Sequence, residues 1–333
     1  MKNSLTRIFL LSLLALCLLL SACGTQAPAA APAEAALDTS LPVRVMTLNG
    51  TTGFGMAALI AEQNAGNTEL NYSFAVDTDA SNVTAALVNG DCDIAALPTN
   101  AASALYNKTE GGVRVLALNT RGVLYLVTDG SVAVESISDL DGMTVYVPAQ
   151  NPSFIFSHIC KANGIAAEID NSYAQPAELN TAAAAGEVGV AVLPEPMVTV
   201  ARSQNPDLQV ALDLTEEWDK VSEPGSLVQG CVVVRAAFAD EHPAELAKFL
   251  EDYEASVALL TSDTAAAAKA IEEAGIFAKA AVAEKAIPNC NVCFVTGEEM
   301  KAQLSAFLEI MFETAPQSIG GKLPADDFYC ILK

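Results

Sequence analysis

Two short segments of this chain are nearly the same, and they lie a constant 96 residues apart. Gly90–Pro98 reads GDCDIAALP and Gly186–Pro194 reads GEVGVAVLP, so the glycine, one alanine, the leucine and the proline coincide. Each segment follows an alanine-rich stretch and ends in an apolar run, which is typical of a buried strand after a helix. A strand–helix unit that is used twice predicts two similar halves.

The stretch Val43–Glu62, VRVMTLNGTTGFGMAALIAE, shows how such a unit begins. Its pattern predicts a buried strand over Val43–Leu48, a Gly/Thr-rich turn over Asn49–Gly53 and a helix from Phe54. Free backbone N–H groups then lie at the carboxyl end of the strand, where the helix dipole favours an acceptor-rich group. A similar strand, polar turn and helix return at Thr144–Asn163.

The rest of the chain alternates in the same way. Helices of about ten residues between short apolar runs predict parallel βαβ units and an α/β fold. After Arg235 the pattern is mostly helical, as expected of segments that cover open sheet faces. Further strands are expected at 70–76, 93–97, 113–118, 123–127, 144–147, 168–173, 188–193, 208–212 and 228–235, and helices at 54–64, 81–88, 100–107, 154–163, 177–185, 196–203, 243–260, 263–274, 278–286 and 297–313.

The N-terminus has the pattern of an export signal. Lys2 and Arg7 precede an apolar run over residues 8–20, which is shorter than the roughly 20 residues that span a bilayer. Leu20-Ser21-Ala22-Cys23 resembles a bacterial lipobox, which implies cleavage before Cys23 and lipidation of its sulfur. We therefore expect a signal peptide over 1–22, an Ala/Pro-rich tether over 23–40, and a location on the outer face of the cell membrane.

The charge balance argues against nucleic acid and anionic lipid as partners. Without Lys2 and Arg7 the chain has 15 basic and 40 acidic residues, a net charge of −25. Six cysteines remain beside Cys17 and Cys23, and most lie in apolar runs. A zinc site at Cys290-x-x-Cys293 would need further ligands, and the sequence has no second CxxC or nearby histidine. We therefore expect the cysteines to be small buried side chains. We expect no metal and no cofactor.

Several motifs in this order carry a resemblance to a known family. They are VRVMTLNGTTGFGMAALI, NGDCDIAALPTNAAS, SISDLDGMTVYVPAQ, GEVGVAVLPEPMVT and GGKLPADDFY, together with the lipobox. The chain resembles substrate-binding lipoproteins of bacterial ABC importers, in particular the branch with nitrate, sulfonate, taurine and thiamine-pyrimidine-precursor receptors.

The resemblance implies a two-lobe, type II periplasmic-binding-protein-like fold. Lobe 1 would hold residues 41–127 and 230–333, and lobe 2 residues 128–229, with hinges near Val127–Ser131 and Leu212–Gln229. Such proteins are monomers that bind a small molecule between the lobes and pass it to a membrane permease. Neither lobe of such a receptor is an enzyme.

Candidate ligand-binding residues follow from the rule that ligands lie beyond the carboxyl ends of strands in open α/β sheets. The loops that qualify contain hydroxyls, amides, aromatics and one acid. They are Asn49, Thr51, Thr52, Gly53 and Phe54; Thr99 and Asn100; Asn119; Gln150, Asn151, Ser153 and Phe154; and Glu195.

Each of these residues also has a purely structural interpretation. Thr51, Thr52, Thr99 and Asn100 also suit helix caps, and Glu195 suits the first turn of a helix. Phe54 and Phe154 also suit the core. Trp218 is either a lid over the cleft or a surface packing residue, and Arg121 concerns the ligand only if the ligand is anionic.

Two other functions remain open at this point. One is a ligand-independent surface or sensor protein, which the signal and the tether fit equally well. The other is an enzyme on the same fold, such as a pyrimidine-precursor synthase. The two histidines, His158 and His242, lie outside the candidate loops, which argues against the enzyme.

Overall fold

The structure, a computed structural model, describes residues 36–332. The predicted signal peptide, the lipidation site Cys23 and most of the tether lie outside these residues. The fold begins at Leu37, which packs against the core, and the backbone N–H of Asp38 donates to the Glu245 carboxylate at 2.7 Å. The end of the predicted tether is therefore part of the folded unit, which begins at Leu37 and forms one compact body.

The first sheet is mixed and has six strands in the order β11-β4-β10-β3-β1-β2. Strands β1, β2 and β3 are parallel, whereas β10 runs antiparallel to both β3 and β4. Its strands are β1 (Pro42–Leu48), β2 (Asn71–Asp77), β3 (Ile94–Pro98), β4 (Val113–Arg121), β10 (Val228–Arg235) and β11 (Val292–Val295).

The second sheet has five strands in the order β7-β6-β8-β5-β9. Strand β6 is parallel to β7 and β8, and β5 is antiparallel to β8 and β9. Its strands are β5 (Leu124–Thr128), β6 (Thr144–Tyr146), β7 (Glu168–Asp170), β8 (Val190–Pro194) and β9 (Gln209–Asp213).

The two sheets confirm the repeat. Strand β3 covers residues 94–98 and β8 covers 190–194, so the offset of 96 residues is kept. Each strand lies between a parallel neighbour and one antiparallel strand. We call the first sheet with its helices lobe 1 and the second sheet with its helices lobe 2.

The chain passes between the lobes at two places. Strand β4 ends at Arg121 and β5 begins at Leu124 in the other sheet, so the first crossing is Gly122–Val123. The expected boundary after Val127 is therefore too late, because β5 pairs with β8 and β9 along its whole length. The second crossing lies between β9 and β10, within the expected range 212–229.

Thirteen α-helices of the described residues flank the sheets. They are α1 (Thr51–Phe54), α2 (Ala57–Ala65), α3 (Ala80–Asn89), α4 (Thr99–Thr109), α5 (Asn151–Ala162), α6 (Pro176–Ala184), α7 (Met197–Gln204), α8 (Leu214–Asp219), α9 (Ala236–Glu241), α10 (Pro243–Ser262), α11 (Thr264–Glu273), α12 (Ala280–Ala286) and α13 (Gly297–Thr314). Within residues 36–332 none of these helices is both long and apolar enough to span a bilayer.

Several helix boundaries differ from the expectation. Helices α1 and α5 begin three residues earlier than expected, so Thr51–Gly53 and Asn151–Ser153 are helical rather than turn residues. The cap of α3 is Asp79, whose carboxylate accepts from the backbone of Ser81. Short β11, α8 and α9 were not predicted.

One apolar core runs through both lobes. It joins one face of each sheet and includes Leu97 of β3, Val192 of β8, Trp218 and Phe307. Separate cores fill the outer faces of the two sheets. The lobes are therefore packed against each other along one side, and the carboxyl ends of their strands meet beside this shared core.

Candidate functional site

The loops after the strands of one lobe touch the corresponding loops of the other. The Thr51 hydroxyl of α1 donates to the Glu195 carbonyl after β8 at 2.8 Å. At the starts of α4 and α5, Asn151 Nδ2 donates to Asn100 Oδ1 at 2.7 Å. Together with the Tyr125 hydroxyl, which donates to the Asn289 carbonyl, these contacts define an interlobe seam of six residues: Thr51, Asn100, Tyr125, Asn151, Glu195 and Asn289.

The loop after β1 reaches the seam because α1 starts almost directly on the strand. Gly53 permits this tight turn, since a Cβ there would lie 2.0 Å from the Leu48 carbonyl oxygen. Asn119, at the end of β4 and 1% exposed, donates through Nδ2 to the Thr52 carbonyl at 3.1 Å. Asn119 therefore stabilises this loop by a hydrogen bond within lobe 1, while the Thr51 hydroxyl contacts lobe 2.

Glu195 is the only charged residue of the seam and is 4% exposed. Its carboxylate accepts from the backbone N–H of Thr199 at 3.1 Å and from the Thr199 hydroxyl at 2.9 Å. Burial raises the pKa of Glu195, although the bonds from Thr199 and the nearby Asn289 side chain lower it. Glu195 thus bonds to the first turn of α7, as expected, and also lies between the lobes.

A segment of lobe 1 that was not predicted to be functional completes the seam. The Tyr125 hydroxyl donates to the Asn289 carbonyl at 2.8 Å, and Asn291 Nδ2 donates to the carbonyl of Gly122, in the first crossing, at 2.6 Å. The buried Cys290 thiol lies near Thr51 and Glu195, and burial raises its pKa. The only signal in the sequence is the polar pair Asn289 and Asn291 between two apolar runs.

Several predicted site residues point elsewhere. Phe54 is buried in the core of lobe 1 against Phe277, and the Thr99 hydroxyl donates to the Val228 carbonyl at 2.8 Å. The Ser153 hydroxyl donates to the Pro148 carbonyl at 3.1 Å. Asn49 and Gln150 are exposed, and Phe154 is half-buried against the shared core. We retain none of these six as proposed ligand contacts.

Trp218 is neither a lid nor a surface residue. It is fully buried, and its indole Nε1–H donates to Ser226 Oγ at 2.9 Å. It packs between His158 of lobe 2 and Phe307 of α13, with ring centroids 4.8 Å and 5.9 Å away. Its place is the shared core beside the second crossing.

Arg121 belongs to the α13 side of the protein. Its guanidinium lies 3.7 Å from the Glu299 carboxylate in the first turn of α13.

The six cysteines outside the N-terminal segment are free thiols, four of them buried as expected. In the part of the chain that the structure describes, no cluster of three or more His, Cys, Asp or Glu has the arrangement of a metal site.

Two similar α/β lobes, two chain crossings and facing strand ends define a periplasmic-binding-protein fold. The chain belongs to the family described as the substrate-binding domain of ABC-type glycine betaine transport systems, which matches residues 55–287. The expected resemblance to receptors of ABC importers is thereby confirmed. A search of curated proteins gave no match.

Solved structures show the same fold. An ABC transporter protein from Parabacteroides distasonis has a TM-score of 0.75 and 23% identity, over 89% of this chain and 100% of that one. The periplasmic aliphatic sulphonate binding protein SsuA from Escherichia coli has a TM-score of 0.68 and 13% identity, over 88% and 94%. The ligand-binding component of an ABC-type import system from Staphylococcus aureus, solved with zinc bound, has a TM-score of 0.65 and 15% identity, over 87% and 96%.

Proposed function

We propose that this protein is a lipid-anchored solute receptor on the outer face of the cell membrane. It captures a small organic nutrient at the interlobe seam and delivers it to the permease of an ABC importer. The observation that carries the proposal is the direct hydrogen bonding between the strand ends of the two lobes, from Thr51 to Glu195 and from Asn151 to Asn100. A ligand that touches both sides stabilises the closed arrangement over the open one.

The proposed ligand contacts are the seam residues Thr51, Asn100, Asn151 and Glu195, with Thr52, Gly53 and Asn119 as their support. The hinges would be Gly122–Val123 and the second crossing, residues 214–227. The protein would act as a monomer, because each lobe supplies one wall of the site.

We infer that the chain binds its ligand and does not transform it. His158 packs on Trp218 in the shared core, and His242 precedes α10 and packs on Phe238. Neither histidine is within the seam, so neither is placed to move a proton on a ligand there.

Two experiments test the proposal separately. Replacement of Cys23 by Ala should release the protein from the membrane fraction, with loss of the diacylglyceryl mass; continued membrane association would contradict the lipid anchor. For capture, the protein without residues 1–23 is incubated with a bacterial metabolite extract, desalted and weighed by native mass spectrometry. A small molecule retained at one copy per chain supports a receptor, whereas none retained by folded protein favours a ligand-independent surface protein.

A further inference from the structure

The Glu195 carboxylate is buried between the lobes without a positively charged partner. No Lys, Arg or His of residues 36–332 lies within 4.0 Å of it, the distance that defines an ion pair. Arg202 lies in the last turn of α7 and donates to the Leu208 carbonyl, so it acts on Glu195 only from a distance, where its charge lowers the pKa of that carboxyl. Arg121, the last residue of β4, is turned to Glu299.

The hydrogen-bond donors to this carboxylate are neutral: the backbone N–H and the hydroxyl of Thr199, and the Asn289 side chain. The Tyr125 hydroxyl is bonded to the Asn289 carbonyl, and the Thr51 hydroxyl to the Glu195 carbonyl. The Oδ1 atom of Asn151 is buried and has no donor within the described residues. Among the described residues the carboxylate thus has neutral hydrogen-bond donors only, and the Asn151 amide oxygen is free to accept from a ligand.

Other acids make the surroundings more negative. Burial raises the pKa of the Tyr125 hydroxyl, and the charges of Asp213, Glu195 and Glu216 raise it further. A buried carboxylate without a counter-ion is unfavourable, and a positively charged ligand group that donates hydrogen bonds offsets this cost. A sulfonate or nitrate at the same place would add a second negative charge.

We propose that the ligand carries a protonated nitrogen with N–H groups, an ammonium or an amidinium, which pairs with Glu195 at the interlobe seam. This inference rests on the proposed function and specifies its substrate class. The Asn151 amide oxygen, which has no donor within the described residues, is a further acceptor in the seam. This class of ligand differs from the aliphatic sulphonates, after which the binding protein SsuA of Escherichia coli is described.

The test uses putrescine and agmatine as N–H cations, and ethanesulfonate, nitrate and glycine betaine as competitors, in isothermal titration at about pH 7.5. Putrescine or agmatine should bind, and the three competitors should not. Glu195→Gln should weaken the binding of that cation roughly thirtyfold or more, as expected for a buried charge pair. Glu135→Gln removes an exposed acid of lobe 2 and should leave the affinity unchanged.

A second measurement does not depend on the stability of the variant. Agmatine keeps its guanidinium charge in acid, so its binding to the unmodified protein should weaken as the pH is lowered from about 7.5 to about 4 and Glu195, whose pKa is raised by burial, takes up a proton. Binding that is constant over this range overturns the inference.

The inference and the proposed function fail in different ways. Binding of ethanesulfonate, nitrate or glycine betaine without binding of either N–H cation overturns the inference and leaves the receptor intact. A ligand from the extract experiment that has no N–H cation would likewise overturn the inference and leave the receptor intact. If no probe and no component of the extract binds, both are overturned.

Discussion

Thr51 and Thr52 are adjacent and chemically alike, yet only Thr51 joins the lobes. Thr52 contributes its backbone carbonyl, which accepts from Asn119, while the Thr51 hydroxyl reaches the Glu195 carbonyl. The difference follows from the helical start at Thr51, which turns neighbouring side chains about 100° apart. Sequence alone identifies this loop, because a strand runs into a Gly/Thr turn, but it does not tell which threonine faces the partner lobe.

Replacement of Thr51 by valine keeps the shape of the side chain and removes the donor. The Glu195 carbonyl then lacks its hydrogen bond, so Thr51→Val should lower the free energy of unfolding by about 1 kcal/mol. Urea unfolding at neutral pH measures this, and Thr52→Val is the matched control with an effect below about 0.5 kcal/mol. Equal effects of both variants would mean that the bond to Glu195 has no special role.

His158 makes the stability of the protein depend on pH. Burial lowers its pKa below the ordinary 6.5, with Glu313 opposing and Lys161 reinforcing the shift. The unfolded chain therefore binds a proton at a pH where the folded chain does not, and stability is lost as the pH falls below about 6.5.

His158→Gln should remove this part of the pH dependence while a side chain able to bond with Ser222 remains. The measurement is urea unfolding at a series of pH values from about 7.5 down to about 5.5. A slope in His158→Gln as steep as in the unmodified protein would contradict the assignment.

Among the elements, the two crossings explain how the lobes are joined. A Cβ on Gly122 would lie 2.3 Å from Thr215 Oγ1 and 2.6 Å from a Leu227 methyl carbon, both in the second crossing. The two crossing segments thus pass each other in close contact at this glycine. The proposed hinge would lie at this point.

Gly122→Ala should lower the free energy of unfolding by about 1–3 kcal/mol through overpacking at the crossings. Gly189→Ala is the matched control in lobe 2, because its new methyl group would find its nearest neighbour at 3.7 Å. Urea unfolding of the two variants gives the comparison. A loss in Gly189→Ala as large as in Gly122→Ala would show that the close approach at the crossings is not the cause.

The elements differ in how far sequence predicts them. Strand β10 was predicted at its own bounds because its run of β-branched residues has strong strand preference and both faces are covered. Strand β11 was missed, since VCFV is short and becomes a strand only by pairing with β4. Asn289 was missed for a related reason: it reaches the seam from a 3₁₀ turn after α12, a position that no periodicity encodes.

For the whole molecule, the repeat predicts the architecture better than it predicts the site. The same strand order arises twice because β3 and β8 take the same place in their sheets. The helical C-terminal part belongs to lobe 1 but also packs on lobe 2, through Phe307 on Trp218. This shared core lies on one side of the seam, so the proposed separation of the strand ends would hinge about that side.

The central claim is that a small molecule enters only when the strand ends of the two lobes part. Asn100→Cys combined with Asn151→Cys places two thiols where the side chains of Asn100 and Asn151 now touch. The doubly substituted protein is oxidised before exposure to a bacterial metabolite extract, and ligand retention is read by native mass spectrometry beside its reduced form and the two single variants. Because Asn100 and Asn151 are themselves proposed ligand contacts, we predict that the reduced form and the single variants retain a small molecule at lowered occupancy, and that the oxidised form retains none. Equal retention by the oxidised and reduced forms, with the disulfide confirmed by mass, would contradict the account.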